Sequence, residues 1–72
     1  SEERTTENAL NQQATNVFEK LRNVKTFKDF SKILLSPDMN SDLINKVLEK
    51  VKESGSEELQ NIADQFKNVH KA

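Results

Sequence analysis

The chain has 72 residues, which suits one domain and no more. Hydrophobic residues make up 33% of it, charged residues 32%, the formal net charge is −1 and cysteine is absent. Those values exclude disulfide frameworks, thiolate zinc sites and cysteine nucleophiles. They also leave no apolar run of membrane-spanning length and make nucleic acid an unlikely partner, since the basic excess that releases counterions from phosphates is missing.

The opening stretch, Ser1 to Glu7, is polar and acidic, with no secretory signal, so an intracellular location (cytoplasm or nucleus) is expected. Leu10, Ala14, Val17, Leu21 and Val24 then recur at steps of four, three, four and three. That spacing places them on one stripe of a helix and predicts a first helix over 5–24, starting at Thr5 or Thr6, with 1–4 frayed. Phe18 widens the stripe. Asn8, Asn11, Gln12, Thr15 and Asn16 on the other side are modest helix formers, so packing must hold this helix more than propensity does.

Thr26 reads as the N-cap of a second helix over 27–35, with Asp29 in the place of a capping-box acid. Phe27, Phe30, Ile33 and Leu34 fall at helical spacing with Leu35 beside them, the densest apolar stretch in the chain. Ser36-Pro37-Asp38 ends it, because proline supplies no backbone donor and disfavours helical geometry in the residue before it. Met39 suits a gap between helices.

A third helix is expected over 41–54, capped by Asn40 or Ser41, with Asp42 in its first turn. Ile44, Val47, Leu48 and Val51 form its inner stripe, helped by Leu43. Outside, Lys46–Lys50 and Glu49–Glu53 are like-charged one turn apart, offset in part by Glu49 with Lys52 and Lys50 with Glu53. Gly55, the only glycine, stands where a left-handed C-cap is expected, and Ser56 can cap the fourth helix, 56–71. Glu57 and Glu58 at its start and Lys67, His70 and Lys71 near its end complement the helix dipole. Leu59, Ile62, Ala63, Phe66 and Val69 make its buried stripe. No strand pattern, long linker or repeat interrupts this order. The connections are short, so successive helices should pack as neighbours. The fold expected is all-α, a single-domain bundle of about four helices over 1–72.

None of these residues assembles a recognisable catalytic centre. His70 is the only histidine and lies beside a helix end, so it suits a surface or dipole-complementing role. Glu57 and Glu58 are adjacent and point in different directions. Asp38, Asn40 and Asp42 alternate as in a calcium loop, but Leu43 stands where that motif needs its glycine. One glycine cannot build a phosphate-cradling loop. No catalytic, cofactor-binding or metal-binding residue is therefore assigned, and the chain is not expected to be an enzyme.

The sharper signal is the second helix, apolar around more of its circumference than a bundle helix needs. With bulky residues at i, i+3 and i+4 it has the form of a helix-in-groove contact. Phe27, Phe30, Leu34 and Leu35 are the expected partner-binding residues, with Lys28 and Lys32 as a polar rim. The function expected is a non-catalytic protein-interaction module that docks a partner peptide or helix, such as a short linear motif. Two alternatives use other features. The stripe from Leu10 to Val24 could zip against a second copy as a homo-oligomer, or Phe18, Phe30 and Phe66 could enclose a small apolar ligand. The basic stretch Lys20, Arg22, Lys25, Lys28 and Lys32 suits a solvated face or a docking patch for acidic peptide or phosphate.

The segment Val17 to Val24, Thr26, the stretch Leu43 to Lys52, Ser56-Glu57-Glu58-Leu59, Ile62-Ala63 and Phe66-Lys67 together resemble the N-terminal helical domain of transcription elongation factor S. The resemblance covers about residues 17–71. It implies a compact helical bundle that binds short disordered motifs of other transcription and chromatin proteins. The family's tryptophan would fall close to His70, and this chain has no tryptophan. The resemblance assigns no binding residue.

Overall fold

A computed structural model describes the backbone of residues 2–70 and the side chains of residues 7–70. It contains four helices: α1 (Glu2–Leu21), α2 (Phe27–Leu34), α3 (Ser41–Glu53) and α4 (Glu57–Val69). Among the described residues there is no strand. The expected all-α bundle is present, and among the described residues no helix is long and apolar enough to cross a membrane.

Three of the four starts are set by side-chain caps. Thr26 is extended (φ −126°, ψ 150°) and its hydroxyl accepts the Asp29 amide at 3.2 Å. Asn40, rather than Ser41, caps α3, its Oδ1 accepting the Leu43 amide at 2.9 Å. Ser56 caps α4, its Oγ accepting the Leu59 amide at 3.3 Å. Each satisfies an amide that has no partner inside its own helix. Gly55 takes φ +77°, the left-handed turn that separates α3 from α4.

Both ends of α1 differ from the expectation. The helix begins at Glu2 rather than at Thr5 or Thr6, because nothing between Glu2 and Asn8 breaks a helix; Ser1, part of the expected frayed end, lies outside the described residues. It ends at Leu21, not Val24. The Val24 amide donates to the Leu21 carbonyl at 3.0 Å, a tight final turn. Residues 22–25 then reverse the chain so that Thr26 can be extended. Val24 still packs against the core from this turn. At the other end, α4 stops at Val69, with the His70 amide donating to the Phe66 carbonyl; Lys71 lies outside the described residues.

The core is one cluster. Ala14 and Leu21 come from α1, Phe30 and Leu34 from α2, Leu43, Val47, Leu48 and Val51 from α3, and Leu59, Ile62, Ala63 and Phe66 from α4. Phe30 meets Phe66 edge-on with ring centroids 5.7 Å apart, a favoured aromatic geometry. Leu43 is buried with the expected stripe, because α1 and α4 both cover α3 and widen its buried arc, while Ile44, in the first turn of α3, is half-buried. Val69, expected in the inner stripe of α4, is exposed at the helix end.

Successive helices are not uniformly neighbours. The principal interface joins α1 to α3; α2 packs on α4, α4 on α3, and α2 more lightly on α1. Around the core the order is therefore α1, α3, α4, α2, and the sequential pair α2 and α3 lies across a diagonal. Length accounts for part of this: α2 has 8 residues against 20 in α1, too few to cover the long apolar stripe of α1, which packs on the 13-residue α3 instead. The molecule measures 38 × 25 × 17 Å. Its shortest dimension holds two layers of helices at the usual spacing of about 8–10 Å.

Candidate partner-docking site

The α2 helix presents different chemistry on its two sides. Phe30 and Leu34 are fully buried, 0% exposed. They face α4 and the shared core, so they leave no surface for a partner. The expectation that they bind one is corrected: at this spacing the most apolar positions of a short helix are the ones its own fold consumes. Phe27 is half-buried, packed against the core from the first turn. Leu35 is 54% exposed, a large apolar side chain held at the C-cap. Lys28 and Lys32 are exposed.

At about 100° per residue, Lys28, Lys32 and Leu35 fall within an arc of about 60° on the outer side of α2. Phe27, Ser31 and Leu35 make the neighbouring i, i+4 ridge. An apolar ridge and a cationic ridge thus run side by side over about two turns. Ser31 sits in the middle of the apolar one, and its Oγ is buried without a hydrogen-bond partner.

The ion pairs among the described residues are Arg22 with Glu19 at 3.2 Å and Lys46 with Glu49 at 3.7 Å. Lys25, Lys28 and Lys32 take part in neither. The pairs expected between Glu49 and Lys52 and between Lys50 and Glu53 are not among them; Glu49 turns toward Lys46, the other cation within reach on its helix.

A separate, concave surface was not evident from periodicity. A cleft of about 260 Å³ lies between α1, α3 and the loop after α2. Val17, Ile33, Met39 and Leu43 form its apolar part; Gln13, Asn16, Lys20 and Asp38 stand at its edge. Ile33 is on the opposite flank of α2 from Leu35, so the cleft and the outer ridges are separate surfaces. Met39 lines this cleft while packing on the core, close to the gap-filling role expected of it. No sequence signal joins these residues, because they come from three segments that only the fold brings together.

The features behind the other readings are placed differently. Leu10, Ala14, Val17, Leu21 and Val24 pack on the protein's own core, so the stripe proposed as a zipper is already covered, chiefly by α3. Phe30 and Phe66 fill the interior by touching each other, whereas Phe18 lines a surface cleft with Arg22, Ser54, Ser56 and Leu59. The three rings do not enclose a common space. The His70 ring lies against Phe66, with centroids 4.6 Å apart. Asn40 of the calcium-like alternation serves as a helix cap. Among the described residues, no three His, Cys, Asp or Glu side chains converge as metal ligands would.

No protein-family model, curated protein or solved structure matches the chain.

Proposed function

We propose that the chain is a non-catalytic protein-interaction module and that it docks a partner peptide or helix on the outer side of α2. The observation that carries this reading is Leu35. It is a large apolar side chain 54% exposed, beside half-buried Phe27 and next to Lys28 and Lys32. An exposed aliphatic residue joined to a partly exposed aromatic and edged by cations is the composition of a small contact patch, in which an apolar anchor gives affinity and the rim gives orientation. The residues that take part are Phe27, Leu35, Lys28 and Lys32. The resemblance to the elongation factor S domain points to the same kind of activity, the binding of short motifs.

The test is a paired capture. Wild-type chain and a Leu35→Ala variant are used as bait in parallel. A protein retained by the wild type is then purified, and its affinity for both is measured. The reading requires a partner whose binding falls by about tenfold or more in the variant, the loss expected when a central apolar anchor is truncated. Partners that bind both baits equally would move the contact away from α2.

A further inference from the structure

The docking face also has a sign, and from it we infer that the partner is an acidic amphipathic helix. The inference rests on α2 being the docking surface. Lys25, Lys28 and Lys32 lie on or just before α2, and none of the ion pairs among the described residues uses them. Asp29, the one carboxylate between Lys20 and Pro37, is also exposed, but it stands about 60° from Lys32 on the side toward Ile33 and about 120° from Leu35, so the edge beside Leu35 carries the lysines alone. The outer face therefore keeps a cationic excess, offset in part by Asp29, although the whole chain carries a net charge of −1.

Geometry narrows the partner further. Lys28 and Lys32 are one turn apart, about 6 Å along the helix axis. A helix aligned with α2 presents carboxylates at the same pitch when Asp or Glu recur four residues apart. An aliphatic or aromatic side chain on the adjoining ridge of that helix then meets Leu35 and Phe27. Seating the ridges of one helix in the grooves of the other is the ordinary way two helices pack. A phosphate backbone fits less well: it would neutralise the lysines but leave Leu35 without an apolar counterpart, and Phe27, the only aromatic ring near this face, is half-buried against the core.

The experiment is a selection from a random displayed peptide library on the full chain and on a Lys28→Glu/Lys32→Glu variant. Both lysines are exposed, so the variant should keep its helical circular dichroism and its melt, which are checked first. The wild type is expected to enrich peptides with two acidic residues four apart beside Leu, Ile or Phe. Their affinity should fall by about tenfold or more on the double variant and weaken as salt is raised. Enriched peptides without acidic bias, or binding both proteins equally, would overturn the acidic partner and leave docking on α2 standing, provided that they still lose affinity for Leu35→Ala. Peptides indifferent to Leu35→Ala as well, or no enrichment at all, would remove the docking surface and the inference with it. Tighter binding of a single-stranded oligonucleotide than of any selected peptide would overturn it in favour of a phosphate ligand.

Discussion

Ser31 has a buried hydroxyl oxygen with no partner, in the apolar ridge between Phe27 and Leu35. A buried polar atom left unsatisfied costs free energy that an apolar side chain of similar size avoids, and alanine is the better helix former. Ser31→Ala is therefore expected to be neutral or to stabilise by up to about 1 kcal/mol, read as a rise in the urea midpoint. A clear fall in the midpoint would mean that the hydroxyl holds something in place. Phe30 and Leu35 mark the opposite extremes of the same helix. Phe30→Ala removes a ring with no exposed surface that meets Phe66, a change that typically costs about 3–5 kcal/mol. In a domain this small that is comparable to the whole stability, so the variant should lose its cooperative thermal transition. A melt close to wild type would contradict the assigned core. Both residues read alike in the sequence as apolar positions on an over-apolar helix. Spacing ranked neither above the other, because the direction of the core is set by α4, which is remote in the chain.

At the scale of the element, the signals carried by one side chain and its own backbone were legible. Thr26, Asn40, Ser56 and Gly55 all act as their local chemistry predicts, since an N-cap hydroxyl or amide and a left-handed glycine answer to neighbours a few residues away. Contacts between elements were not. Gln60, the fourth residue of α4, donates from Nε2 to the Lys52 carbonyl at 2.9 Å and so satisfies an orphan acceptor at the end of α3. Nothing in a helical pattern distinguishes that glutamine from a solvated one. Gly55 gives the clearest test at this scale. Space around it is open, with no heavy atom within 4 Å of where a Cβ would stand, so a substitution meets only the backbone penalty of φ +77°. Gly55→Ala should cost about 1 kcal/mol, and Gly55→Asn less, because asparagine tolerates the left-handed region. Equal melting temperatures for the three proteins would show that the turn relaxes to another conformation.

At the scale of the molecule, four short amphipathic stretches were enough to predict an all-α bundle, because each helix must bury its stripe and only other helices are available. Their arrangement was not legible. Short loops suggested sequential neighbours, yet the longest stripe, on α1, finds α3, and α2 is left to cover α4. That placement turns Phe30 and Leu34 inward and leaves Leu35 outside with Lys28 and Lys32. Of the proposed site, the helix stood out by composition, but four apolar residues on it could not be sorted into buried and exposed without the neighbouring helices. One consequence is that the core side of α2 and its proposed docking face are separable. The most direct test measures urea stability and partner affinity together for Leu35→Ala. The expected result is stability within about 1 kcal/mol of wild type, as for most exposed substitutions, with affinity reduced by about tenfold or more. A stability loss of about 2–3 kcal/mol with affinity unchanged would make Leu35 a core residue and contradict the account.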